Sequence, residues 1–401
     1  MELAEIFRAH GAAFGTARRL SAVQRRAVRA ILACRTAALG GHLEACDACG
    51  QLRYSYHSCR NRHCPKCQTR AKERWLQARR AELIDTPYFH VVFTLPHEIN
   101  ALAQGNPRLI YRLLFAAASQ TLLEFGANPR WLGAQIGATL VLHTWGQTLT
   151  QHIHVHALVT GGGLDAGGHW QRAKPGFLFP VQALARVFRG KYLEALAGAF
   201  DHGQVTLAGA TLTLADPMAR RTLFEQLRIH PWVVYAKSPM AGPQQVLEYL
   251  GRYAHRIALS NERLLSLDGR GVRFRYKDYA RGGGSRVMSL EPQEFIRRFL
   301  LHVLPRHFVR IRHYGLLGNR GKRRALAQCR AALEPHHIEP APQAPESVVA
   351  FWSRVAAIDL HACARCGVGR MHLVQMLLPH HPPARAPPSP NAAPTSVLAH
   401  D

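Results

Sequence analysis

Acidic side chains are scarce in this chain of 401 residues: 25 Asp and Glu stand against 51 Lys and Arg, a net +26 with His neutral. So large an excess on a chain only 19% charged points to a polyanionic partner, nucleic acid first, and carries no information about the fold. Long hydrophobic runs are absent as well. No stretch reaches the length of a membrane-spanning helix, and the start carries neither a Lys-rich amphipathic anchor nor a charged segment feeding an apolar one. Neither a membrane partner nor a secretory leader is expected, and the cytoplasm is the expected compartment. No internal repeat of useful length stands out. What the chain does have is 47% apolar residues, core enough for two or three domains, which excludes a wholly disordered chain and a disulfide-stapled miniprotein. Its nine cysteines, in a chain expected to stay in the cytoplasm, point to metal ligands before disulfides.

Residues 1–38 hold seven Arg and two Glu, with Val23, Ala27, Val28, Ile31 and Leu32 at helical spacing, and predict one or two basic amphipathic helices. A cysteine cluster follows, then a basic helix from about Gln68 to Leu83. Over residues 1–80, 16 basic side chains face 5 acidic ones, a net +11. From Tyr88 the pattern changes: "YFHVVFTL", "ATLVLHTW" and "HIHVHALV" read as strands, the last ending at the turn-forming "TGGGLDAGG". Helices are predicted over Pro107 to Phe125, over "FPVQALARVFRGKYLEALAGAF", and over "DPMARRTLFEQL" with Asp216 as its N-cap. The strand "HPWVVYAK", a helix opened by Pro243, the strands "GVRFRYKDY" and "SRVMSL", and the helix "EPQEFIRRFLLHVLP" complete an α+β layer arrangement with helices on one side of mostly hairpin-linked strands. Residues 306–330 then hold eight Arg or Lys and no acid, which suits a phosphate-facing surface. The expected divisions are a basic helical and metal-binding domain (1–85), a large α+β domain (86–330), a linker with a short CxxC segment (331–378), and a Pro-rich disordered tail (379–401).

Five cysteines fall between Cys46 and Cys67, arranged Cys46-x-x-Cys49, Cys59 and Cys64-x-x-Cys67. Each CxxC puts two thiolates on one tight turn, the geometry that a tetrahedral zinc ion needs, and the 14 residues between the pairs suffice to return the chain. Cys46, Cys49, Cys64 and Cys67 are the expected ligands of a closed structural zinc, with Cys59 and His63 as rivals for one place; reduced core cysteines are the bland alternative. Arg60, Arg62 and Lys66 lie around the cluster and would present charge to a nucleic-acid backbone. Cys363 and Cys366 make only half a site, which His361 and His372 would complete, or no site at all.

His152, His154 and His156 alternate with Ile153, Val155 and Ala157, so on a strand the imidazoles share one face and the aliphatic side chains the other. Two histidines at i and i+2 reach one divalent ion and leave room for water and a substrate oxygen. A polar sheet edge is the alternative. His143 on the preceding strand and Gln147 in the connection are further candidate ligands. Downstream, Tyr249 and Tyr253 are four apart on a helix and project from one face, beside Arg252 and Arg256. Such a pair is usually amphipathic core lining. Beside a metal in a strongly basic protein, however, a phenolate is a competent nucleophile on phosphorus.

"QHIHVHALV" followed by "GGG", and "EYLGRYAHRIALSN" further on, resemble the His-hydrophobic-His and two-tyrosine motifs of the HUH superfamily. "SCRNRHCPKCQ", "VVFTLPHEIN", "LHTWGQTL" and "FIRRFLLHVLPRHFVRIRHYGLL" resemble one branch, the rolling-circle transposases of insertion sequences with an N-terminal zinc-binding domain. The likeness covers about residues 10–325. It implies an antiparallel-sheet HUH nuclease domain with a ferredoxin-like or RRM-like core, preceded by a small zinc-binding helical domain. His154 and His156 stand where the HUH metal pair stands, Tyr249 and Tyr253 where the nucleophiles stand, and His152 extends the pair. The implied cofactors are Mg2+ or Mn2+ for catalysis and Zn2+ for structure. The implied partner is single-stranded or hairpin DNA at transposon ends, nicked to leave a 5′-phosphotyrosine and a free 3′-OH. The resemblance places the protein with the nucleoid and leaves room for a homo-oligomer. Arg252, Arg256, Arg310 and Arg312 join Arg60, Arg62 and Lys66 as expected DNA contacts.

Three other readings compete. A plasmid or phage replication initiator or relaxase would use the same chemistry; a non-catalytic zinc-dependent nucleic-acid-binding protein would bind without a covalent adduct; and a metallohydrolase would turn over without leaving DNA on the protein.

Overall fold

Period-two alternation over residues 88–164 builds the sheet that organises the molecule. The computed structural model describes residues 1–237, 251, 258–333 and 346–380. In chain order its main elements are α1 (Leu3–Ala17), α2 (Ala22–Ala33), β1 (Gly41–Cys46), β2 (Leu52–Tyr56), α3 (Gln68–Arg80), β3 (Tyr88–Thr94), α4 (Asn100–Gly105), α5 (Pro107–Ala127), β4 (Gln135–Trp145), β5 (Gln151–Leu164) and β6 (Trp170–Arg172). There follow α6 (Val181–Asp201), α7 (Pro217–Ile229), β7 (Val234–Lys237), β8 (Leu264–Asp268), β9 (Gly271–Asp278), β10 (Gly284–Leu290), α8 (Pro292–Leu301), β11 (Ile311–Gly315), α9 (Lys322–Leu333), α10 (Val348–Ala356) and β12 (Met371–Leu377). The chain divides into two units, residues 1–32 with 60–344, and residues 33–59 with 345–401.

In the larger unit the sheet order is β11-β4-β5-β3-β7, with β6 paired to β5, and every pairing is antiparallel. One face is apolar. Ile153, Val155, Ala157 and Val159 of β5 join Leu140 and Leu142 of β4 and Phe89, Val91 and Phe93 of β3 in a single core with Leu114, Phe115 and Leu122 of α5 and Leu184, Phe188 and Tyr192 of α6. Each such side chain contributes about 1.5–3 kcal/mol relative to exposure, so this face fixes the register of the strands. Pro107 opens α5 and Asp216 caps α7, its carboxylate accepting from the backbone N–H groups of Met218 and Ala219. A second antiparallel sheet, β10-β9-β8, leans on α8 through an edge-to-face contact of Phe274 with Phe295.

Leu76 of α3, a helix of the segment expected to precede the sheet domain, packs on the opposite face against Tyr88, Val141 and Leu158. One expectation changes here: β5 does not stop at the glycines but runs through them to Leu164. A Cβ on Gly161 would lie 2.6 Å from the carbonyl oxygen of Pro87, and one on Gly163 2.3 Å from that of Gln135, so these glycines allow neighbouring backbone to close in.

In the smaller unit β12-β1-β2 form an antiparallel sheet, with Cys46 opposite Met371. The segment with the second CxxC thus adds a strand to the hairpin of residues 41–56. The helix expected from Pro243 lies outside the described residues apart from Gly251 and its final positions, as do most of the expected linker and the tail beyond residue 380. None of the described helices is long and apolar enough to cross a membrane.

Candidate functional site

On the face of the sheet opposite the apolar core, the ring nitrogens of His143, His154 and His156 lie within 4.8 Å of one another, and all three residues are buried. β4 and β5 pair with His143 opposite His154 and Val141 opposite His156, which brings the three rings into one corner. His154 Nδ1–H donates to the carbonyl of His152 at 2.9 Å, leaving the Nε2 lone pair facing His156 Nε2 at 3.1 Å. Two nitrogens bound at right angles to one ion at about 2.1 Å would stand about 3.0 Å apart, so the spacing suits a shared cation. Burial pulls His154 down to about 3 and His156 well below the ordinary imidazole value, and the neighbouring imidazoles add to both shifts. His154 and His156 are therefore neutral, as ligation requires.

His90 on β3 completes the arrangement and was not among the expected site residues. Its Nε2 stands 2.9 Å from His156 Nδ1, and burial lowers it to about 4. A partner behind a ligating imidazole fixes its tautomer and ring direction. The signal was present in "YFHVVFTL", whose alternation puts His90 on the face of Tyr88 and Val92. His152 sits at the rim, its ring 4.9 Å from that of His154 and 5.7 Å from that of His97. Gln147 is turned elsewhere: its side-chain oxygen accepts from the backbone N–H of Lys277 and its carbonyl accepts from Arg263.

Tyr249, Tyr253, Arg252 and Arg256 lie outside the described residues. Gly251, between the tyrosines in sequence, is described, and it is buried against α3: a Cβ there would stand 2.7 Å from Leu76 Cδ2. Leu76 packs in turn on Leu158, two residues beyond His156 on the same face of β5.

The cysteines group differently from the expectation. Cys46 and Cys49 meet Cys363 and Cys366, with all four sulfurs within 4.8 Å. That set is complete without Cys64 and Cys67, so the pairs 46/49 and 64/67 do not share one ion. Spacing identifies a CxxC turn but not which turn meets which. His63 stands outside this set. Its Nε2 accepts from the backbone N–H of Leu304 and its Nδ1 pairs with Asn61 Oδ1. Four thiols on two CxxC turns are the donor set of a closed structural zinc site.

The expected DNA contacts divide in the same way. Arg60 is exposed. Arg62 is turned inward, donating to the carbonyls of Phe308 and Pro305 at 2.6 and 2.7 Å, and Lys66 is ion-paired with Glu2. Arg310 is only 7% exposed, so it is not part of an open phosphate-binding surface, and burial draws its guanidinium down to about 9. Arg312 lies over the rings of Phe115 and Phe308 at 4.3 and 5.2 Å.

Residues 6–95 match the IS91-type family described as "Transposase zinc-binding domain", and residues 137–324 match the family described as "Putative transposase". The "Putative transposase y4qJ" of Sinorhizobium fredii is 50% identical over 378 residues, 94% of this chain and 95% of that protein. The "Transposase for insertion sequence element IS801" of Pseudomonas savastanoi pv. phaseolicola is 29% identical over 343 residues, 85% of this chain and 81% of that protein. With half its residues shared along nearly the whole length of one such protein, and with both domains in chain order, the chain belongs to the IS91-type transposase family.

Proposed function

We propose that this protein is a rolling-circle transposase that nicks and rejoins single-stranded or hairpin DNA at insertion-sequence ends through 5′-phosphotyrosine bonds to Tyr249 and Tyr253. The observation that carries this reading is the convergence of three buried imidazoles, His143, His154 and His156, on the face where Gly251 of the tyrosine motif packs through Leu76. The three histidines would hold the divalent ion, which when bound withdraws charge from the scissile phosphate. Their all-nitrogen donor set suits manganese better than magnesium, which favours oxygen ligands.

The chain's own residues do the rest. Arg60 and the basic residues of 306–330 other than the buried Arg310 hold backbone phosphates, an attraction independent of sequence. The phenol of Tyr249 or Tyr253 gives up its proton and attacks phosphorus in line. The bond from phosphorus to the 3′ oxygen breaks, and that oxygen takes up a proton to leave a free 3′-OH. Attack by a 3′-OH on the phosphotyrosine reverses the step, and a second tyrosine allows one DNA end to be held while the next junction is cut. Arg252 and Arg256 offset charge on the phosphoryl group. The similarity to transposases over nearly the full chain favours this reading over a replication initiator or relaxase.

The test is to incubate the protein with labelled single-stranded DNA of a cognate end and Mn2+ or Mg2+, and to look for an SDS-resistant conjugate. The conjugate should form with the wild type and disappear in the Tyr249→Phe/Tyr253→Phe double variant. Its persistence in that variant would remove the tyrosine assignment. Cleavage without a conjugate would indicate a metallohydrolase, and binding alone a non-catalytic protein.

A further inference from the structure

Cys363 and Cys366 lie beyond both matched family segments, yet the chain brings them back to Cys46 and Cys49. Cys46 Sγ is 3.7 Å from Cys366 Sγ, and Cys49 Sγ is 3.7 Å from Cys363 Sγ. A disulfide needs about 2.05 Å. Four thiolates bound to one zinc at about 2.3 Å stand about 3.8 Å apart along the edges of their tetrahedron, and two opposite edges already have that length.

The two CxxC turns are built alike. The backbone N–H of Gly50 donates to the carbonyl of Cys46 and that of Gly367 to the carbonyl of Cys363, at 3.1 and 2.9 Å. Gly50 and Gly367 both take the left-handed conformation, at φ 66° and 70°, which glycine adopts without strain. Gly369 N–H donates to Cys366 Sγ at 3.3 Å. A Cβ on Gly369 would fall 2.4 Å from Cys46 Sγ, so the backbone must close directly over the sulfurs. Around them the apolar support is slight: Met371 is the one other buried residue of the cluster among the described residues. A unit this small draws its stability from a staple more than from a core. His372, an expected fourth ligand, instead directs Nε2 to Asp47 Oδ2 at 3.1 Å.

We propose that Cys46, Cys49, Cys363 and Cys366 hold a structural zinc ion of their own, which Cys64 and Cys67 do not share, and that this ion fastens β12 to the hairpin β1–β2. The proposal does not depend on the nuclease chemistry.

Zinc content of the full-length protein, purified under reducing conditions, is measured by mass spectrometry. Cys363→Ser/Cys366→Ser should hold one zinc per chain fewer than the wild type, and Cys366→His, which keeps a nitrogen ligand, should retain it. Equal zinc in the wild type and the double serine variant would overturn the proposal. Since the serine variant can lose its fold, alkylation is also followed in the wild type. Zinc should protect Cys46, Cys49, Cys363 and Cys366 together, and a chelator should expose all four. Alkylation of Cys363 and Cys366 at the same rate with and without zinc would refute the site.

Discussion

Nε2 of His90 lies 2.9 Å from Nδ1 of His156, and the two rings stack with centroids 5.1 Å apart. With His156 donating Nδ1–H to His90, the Nε2 lone pair of His156 is turned toward His154. His90 is thus a positioning residue, and burial keeps it neutral and able to accept. His90→Phe should raise the Mn2+ concentration needed for half-maximal DNA cleavage by about 10- to 100-fold, with DNA binding unchanged. His90→Gln, whose amide oxygen can accept the same hydrogen bond, should recover most of the loss. A metal titration that does not move in His90→Phe would rule out this role.

Gly251 leaves no room for a side chain over Leu76. Gly251→Ala should cost about 1–3 kcal/mol, measured by chemical denaturation, because overpacking must displace either the backbone at Gly251 or the Tyr88, Val141 and Leu158 cluster beneath Leu76. Cleavage should fall more than DNA binding. Trimming the neighbour in Gly251→Ala/Leu76→Val should restore part of both, and simple additivity of the two changes would show that the residues are not coupled.

Arg62 and Arg60 are two apart in sequence but should respond in opposite ways. Arg62→Ala removes two charge-assisted hydrogen bonds to the carbonyls of Pro305 and Phe308, a loss of about 2–4 kcal/mol in stability. Arg60→Gln should leave the melting temperature unchanged, weaken single-stranded DNA binding, and lower the slope of log affinity against log salt by about 0.7. Exchange of these two outcomes would reverse the assignment of Arg62 as structural and Arg60 as DNA-facing.

His302 is buried, with Nε2–H donating to the carbonyl of Leu149 and Nδ1 accepting from Thr144 Oγ1–H. Burial lowers it from the ordinary 6.5 to about 4, with the Leu149 carbonyl acting in the other direction. Between these values the unfolded chain takes up a proton that the folded chain refuses, so stability falls as pH drops from 6.5 toward 4 and is unaffected above 6.5. The loss is on the order of 3 kcal/mol when the window has been crossed. His302→Gln, which keeps the donation to Leu149, should flatten the dependence by about one proton in denaturation curves taken across this range. Buried His63 and half-buried His313 act in the same direction and keep the variant from becoming insensitive to pH.

Much of the large sheet is legible because one period-two pattern does two jobs: in "HIHVHALV" it assigns the aliphatic side chains to the core and the imidazoles to the other face. The same pattern carries His90, but a single polar residue among apolar ones reads more readily as a lone core histidine. The glycines at 161–163 were misleading because glycine marks both turns and close backbone approach, and only the neighbours at Pro87, Gln171 and Gln135 decide between them. β11 was hidden because its short run sits in a stretch dense with arginine, whose long stems cover apolar surface while their charge dominates the composition. Cysteine partnership was the least legible feature, since a CxxC turn is a local property while its partner turn depends on how a distant strand returns.

That return has a consequence for how the protein comes to exist. Cys46 and Cys366 are 320 positions apart, and β1 receives its outer neighbour β12 from the far end of the same separation. A ribosome therefore adds some 320 residues after Cys46 before that hairpin can find its third strand, and any message truncated ahead of residue 363 yields a chain whose Cys46 and Cys49 lack these two mates.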